Sequence, residues 1–91
     1  MAELSVTLYS SSFCGACSST RQTLETIAPL LGDRVDWHEI NVADAPDESE
    51  RLGIVATPTI VITASDGSER MRASGVPTSQ QVLAAIANAL P

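Results

Sequence analysis

Two hydrophobic periods alternate along this chain. Ser5-Val6-Thr7-Leu8-Tyr9 alternates polar and apolar residues and carries β-branched and aromatic members, which predicts a strand. From Cys17 the period lengthens, and Cys17, Leu24, Ile27, Ala28 and Leu31 fall on one stripe of a helix. Pro29 lies near the end of that stripe. It is expected either to kink the last turn or to end the regular helix near Ala28, with Gly32-Asp33 as the stop. Val35 to Val42 predicts a second strand with apolar residues on both faces, as in a strand covered on both sides. Asp44 is the expected cap of a short acidic helix. Pro46 falls in its first turn, Asp47 and Glu48 lie near its positive end, and it runs to about Leu52 before Gly53.

Thr59 to Thr63 is β-branched throughout and reads as a buried strand, with Pro58 at its start, where a missing N–H does least damage. Ser65-Asp66-Gly67-Ser68 reads as a hairpin turn, and Glu69 to Ala73 as the return strand. After the break at Gly75-Val76-Pro77, Thr78 should cap a last helix, with Gln81 completing a capping box and Val82, Leu83, Ile86 and Leu90 on the apolar face. The order β-α-β-α-β-β-α predicts an α/β domain. Its β-α-β opening requires a parallel crossover, and its hairpin adds an antiparallel strand, so the central sheet is mixed and flanked by helices.

Length and composition narrow the reading. The chain has 91 residues, 44% of them hydrophobic and 18% charged, which suits one globular domain over residues 1–91 with a core of its own. The net charge is −6 and the only cations besides His38 are five arginines, so no basic patch exists to meet nucleic acid. No run approaches membrane-spanning length, and Met1-Ala2-Glu3 lacks the cationic start of a secretion leader. The expectation is a monomer in the cytoplasm, where a paired cysteine motif is more often catalytic than structural.

The chemistry centres on Cys14-Gly15-Ala16-Cys17. The chain has 2 cysteines, and they stand in C-x-x-C spacing between the first strand pattern and the first helix pattern. A helix that starts there aims its free N–H groups and positive dipole end at the first sulfur, which favours the thiolate. A zinc site needs about four Cys or His ligands. This chain supplies only His38 beyond the pair, so only a site shared between two chains would remain. A purely structural role is disfavoured, because closing so short a loop removes little entropy from the unfolded chain.

With C-x-x-C after the first strand and Thr57-Pro58 opening the third, the chain resembles the thioredoxin superfamily along nearly its whole length. Val6-Thr7-Leu8-Tyr9-Ser10 followed by Phe13-Cys14 is similar to the opening of glutaredoxins and small glutaredoxin-like thioredoxins. Gly53-Ile54 through Thr57-Pro58-Thr59, then Asp66-Gly67 and Gly75, resembles the second half of thioredoxins. The resemblance implies a thioredoxin fold and a dithiol–disulfide oxidoreductase acting on protein or small-molecule disulfides. It implies a cis Thr57–Pro58 bond lying against the sulfurs, with Thr57 and Pro58 joining Cys14 and Cys17 in the site. Phe13 then belongs to an apolar docking surface and Tyr9 points near the motif, where it would contact substrate. Arg21 reads as a snorkelling side chain, His38 as structural, and the acidic cluster from Asp44 to Glu50 as a solvated helix face.

The departures from the family pattern are specific. Phe13 replaces the thioredoxin tryptophan, Ala16 replaces proline, and Leu8 stands where thioredoxins keep a buried acid. Gly75-Val76-Pro77-Thr78 replaces the Gly-Gly-acid pattern of glutathione-binding glutaredoxins. No cofactor motif appears, so the reductant is external, either a thioredoxin reductase or a low-molecular-weight thiol. Two other readings stay open: a glutaredoxin-like module sharing an iron–sulfur cluster between two chains, and a thioredoxin-fold interaction domain without activity.

Overall fold

The computed structural model describes residues 2–91. The elements run β1 (Leu4–Ser10), α1 (Gly15–Leu31), a short 3-10 turn (Gly32–Arg34), β2 (Val35–Asn41), α2 (Pro46–Arg51), β3 (Thr59–Ala64), β4 (Glu69–Ser74) and α3 (Ser79–Ala89). They form one mixed sheet of order β2-β1-β3-β4. β1 pairs parallel with β2 and antiparallel with β3, and β3 pairs antiparallel with β4. The β4 register slips by one residue at Ile62/Thr63, so Thr63 stands opposite Glu69.

The strand alternation decides what lies on each face. Leu4, Val6 and Leu8 of β1 and Ile60 and Ile62 of β3 point to one side, where Leu24 and Ile27 of α1 and Val82 and Ile86 of α3 close over them. The opposite side of β1 carries Tyr9, which is buried, and its hydroxyl meets Glu48 of α2. Thr78 caps α3 with the full reciprocal box expected from Gln81.

Two expectations change, and a third is narrowed: of the two outcomes for Pro29 the early end is excluded, because α1 runs through Pro29 to Leu31. The carbonyl that Pro29 leaves without a donor belongs to Glu25, and both residues are exposed, so water can take the place of the missing bond. α2 is capped by Ala45, with no side-chain cap bond, and Asp44 sits one residue outside. β2 is not covered on both faces. It is an edge strand with Asp36, His38 and Glu39 exposed, and only Val35 on it is fully buried.

Candidate active site

β1 delivers its last residue, Ser10, to the end of the sheet above α1, and the chain must then turn sharply into the helix. Phe13 makes the turn in the left-handed region at φ 58°, the only non-glycine residue there among the described ones. That conformation costs a side-chain-bearing residue about 1–2 kcal/mol. Phe13 is thereby held fully exposed beside the motif. Cys14 follows as the N-cap of α1 in extended conformation, and its Sγ accepts the backbone N–H of Cys17 at 3.1 Å. The two cysteines are joined in a disulfide with Cα atoms 5.2 Å apart. Their surroundings differ: Cys17 is 1% exposed, whereas Cys14 is only partly covered.

A second wall comes from the start of β3. The Thr57–Pro58 bond is cis. Thr57 Oγ1 shares a 2.8 Å hydrogen bond with Ser11 Oγ, which ties this loop to the one before the cysteines. Thr59 Oγ1 donates to the Ala56 carbonyl at 2.6 Å, and the Gly75 N–H donates to the Pro58 carbonyl at 3.1 Å. The segments around Ser11, Thr57 and Gly75 are thus joined at one end of the sheet. Phe13, Val55 and Val76, on these three segments, are exposed apolar residues.

On the β2 side of Cys14 lies a polar cleft of about 420 Å³. Cys14, Ser18 and Arg21 stand on one face of α1 at i, i+4 and i+7 and form one wall, and Glu39 and Asn41 of β2 form the other. Arg21 lies beside Leu8, Leu24 and Trp37 with its head partly exposed, as expected of a snorkelling side chain, and it also finds a partner. Its guanidinium grips Glu39 with two bonds, Nε to Oε1 and Nη2 to Oε2, each 2.6 Å. The buried Ser10 hydroxyl donates to Glu39 Oε2 at 2.9 Å. The Arg21 contact, reinforced by Ser10 and opposed by partial burial, holds the Glu39 carboxyl below the usual carboxylate range, and the Arg21 pKa rises in turn.

The other predicted residues fall as follows. Phe13, Thr57 and Pro58 belong to the loops tied around the motif. Tyr9 sits next to that end of β1, but it is 4% exposed and its hydroxyl donates to Glu48 Oε2 at 3.1 Å. His38 is exposed on the edge strand. Leu8 is sealed in the core. Reading by motif passed over Ser18 and the Arg21–Glu39 pair. The i+4 and i+7 spacing from Cys14 was available in the sequence. The partner Glu39 was not, since it depends on the register that sets Leu8 opposite Glu39.

The thioredoxin family model matches residues 2–88. The chain belongs to the thioredoxin family. It is 30% identical to a thioredoxin of Methanocaldococcus jannaschii over 86 residues, which cover 94% of this chain and 95% of that one. Among solved structures, chloroplastic thioredoxin z is 27% identical and superposes with a TM-score of 0.85 over 96% of this chain and 78% of its own. The malaria parasite's thioredoxin-2 has a TM-score of 0.88 at 15% identity, over 94% of this chain and 82% of its own, a likeness of fold. A C-x-x-C pair closed as a disulfide in a thioredoxin-family domain makes the protein a thiol–disulfide oxidoreductase. Disulfide-bearing substrates and an electron donor are its general partners. Among the described residues no helix is long and apolar enough to cross a membrane.

Proposed function

We propose that Cys14 is the nucleophile and Cys17 the resolving cysteine of a reductase for protein or small-molecule disulfides. The observation that carries this reading is the asymmetry of the pair. Cys14 is partly exposed at the N-cap of α1 and already receives an N–H from Cys17, while the Cys17 sulfur is buried. In the reduced protein the Cys14 thiolate attacks one sulfur of the substrate disulfide, and the other half leaves as a thiol after taking a proton. Cys17 then loses its proton and attacks Cys14 Sγ, which releases the second half and restores the internal disulfide. An external donor, a flavoprotein reductase or a small thiol, returns the pair to the dithiol.

Phe13, Thr57 and Pro58 form the docking surface in this reading, widened by the exposed Val55 and Val76. Tyr9 contributes by packing, because its ring is covered and its hydroxyl is committed to Glu48. Residues 1–91 act as one domain, as a monomer, in the cytoplasm.

Trapping tests the assignment. The Cys17→Ser and Cys14→Ser variants are each mixed with a peptide disulfide and analysed by mass spectrometry. Cys17→Ser should accumulate a mixed disulfide at Cys14, and Cys14→Ser should form almost none. Faster adduct formation at Cys17 would reverse the roles.

A further inference from the structure

Cys14 has two dissimilar flanks. On one, Val55 and Val76 offer apolar surface of the kind a polypeptide covers, and Phe13 stands between the two flanks. On the other lies the polar cleft between α1 and β2, which the docking of a protein substrate leaves unexplained. Cys14 lines this cleft and Cys17 does not, so a nucleophile seated in it meets Cys14 alone of the two sulfurs.

Phe13 also lines the cleft, and the cleft's other neutral side chains carry hydroxyl, amide or sulfur groups. Ser12 Oγ accepts from Asn41 Nδ2 at 3.3 Å and keeps its own O–H to donate. Ser18 Oγ, one turn beyond Cys14, has no hydrogen-bond partner among the described residues. The only ionic side chains lining the cleft are Arg21 and Glu39, and their two-bond contact cancels their charges. The other paired cations are engaged elsewhere, Arg34 with Glu3 and Arg72 with Glu69, and the chain as a whole carries −6. An anionic thiol therefore finds no uncompensated cation here, whereas a thiol carrying several hydroxyls finds donors and acceptors.

We infer that this cleft is the entry site of the reductant, and that the reductant is a low-molecular-weight thiol with an uncharged, hydroxyl-rich body. The inference rests on the redox reading of Cys14 and adds the class of donor. The thiol enters as its thiolate and attacks Cys14 Sγ. A bond forms between its sulfur and Cys14, the Cys14–Cys17 bond breaks, and Cys17 leaves as a thiolate that takes up the proton the donor released. A second thiolate attacks the donor sulfur of the mixed disulfide. The donor departs as its own disulfide, and Cys14 is left reduced. Two donor thiols are oxidised and one protein disulfide is reduced.

The test uses the oxidised full chain and three reductants: 1-thioglucose as the hydroxyl-rich neutral thiol, glutathione as the anionic one, and dithiothreitol. Rates are expressed per thiolate and divided by the rate of the same reductant on an unstructured C-x-x-C peptide disulfide. With one or two hydrogen bonds gained in the cleft, thioglucose should be favoured over glutathione about tenfold. Glu39→Gln uncovers the Arg21 charge and should move the ratio toward glutathione about threefold, the size of a surface charge interaction. Ser18→Ala should lower the thioglucose rate without helping glutathione. Equal normalised rates, a preference for glutathione, or a ratio unmoved by both variants overturns the inference. Dithiothreitol-driven reduction of a protein disulfide by the wild type is read in parallel. If it proceeds while the thiol ratio is flat, the donor class is wrong and the redox reading stands. If it fails, both fall.

Discussion

In the reduced protein, the Cys14 thiol should titrate well below an ordinary cysteine. The perturbation is Cys17→Ser, which leaves Cys14 alone in its native place. Two terms act on its sulfur. The Cys17 N–H, 3.1 Å from Cys14 Sγ, becomes a hydrogen bond to a charged acceptor once the thiolate forms, worth about 1.5–3 kcal/mol. The unpaired N–H groups of the first turn of α1 add about 0.3–1 kcal/mol through the helix dipole. Arg21 adds little, since Glu39 takes its charge. Together these are about 2–4 kcal/mol in favour of the thiolate, so Cys14 should titrate below an ordinary cysteine. Cys17, 1% exposed, should titrate above the ordinary value in Cys14→Ser, because burial penalises the thiolate. Thiolate absorbance against pH, measured on both variants, reads the two values. A Cys14 value at or above about 8.5, or a Cys17 value below that of Cys14, refutes the helix-terminus argument.

Three further outcomes follow from the packing. Ile62→Ala removes a side chain that is 0% exposed at the centre of the sheet and should lower the unfolding free energy by about 2–5 kcal/mol in urea titration. A loss below about 1 kcal/mol would mean that the core collapses around the gap. Thr78→Ala removes the Oγ1 that accepts the Gln81 N–H in the α3 capping box and should lower stability by about 1 kcal/mol, with no change in the reaction rate of Cys14. Burial, and then its bond to Glu48, pushes the Tyr9 phenol up to about 12, above its ordinary 10.0. The fold prefers the neutral phenol, so this contribution is whole below pH 10 and is lost as pH rises from 10 through about 12. Tyr9→Phe should therefore lose less stability than the wild type across that window in parallel denaturation curves. Identical losses would show that Tyr9 does not govern the alkaline limit.

The elements legible in the sequence were those whose own residues decide them. The β-branched run of β3, the Asp66-Gly67 turn and the Thr78/Gln81 box are local signals, and each appears where the pattern puts it. The failures are positions that distant parts of the chain decide. β2 reads as a doubly covered strand because its residues are apolar on both sides, but its place at the sheet edge is a property of topology. Asp44 has the right chemistry for a cap, yet the helix starts at Pro46, whose fixed φ suits the first helical position, and Ala45 becomes the cap. Within the site, Cys14 and Cys17 stand out through spacing, and the expected cis bond before Pro58 came from family resemblance. The cleft on the β2 side could not be read, because Arg21 and Glu39 lie 18 residues apart and meet only across the α1–β2 packing.

The central claim is that this chain reduces disulfides through Cys14, and turnover tests it most directly. A protein disulfide is incubated with dithiothreitol and catalytic amounts of the wild type, Cys14→Ala or Cys17→Ala, and released thiols are counted with time. The wild-type rate should exceed that of dithiothreitol alone and rise in proportion to protein concentration, and Cys14→Ala should fall to the uncatalysed rate. Wild-type protein that adds nothing to dithiothreitol, or Cys14→Ala that keeps the wild-type rate, would contradict the account.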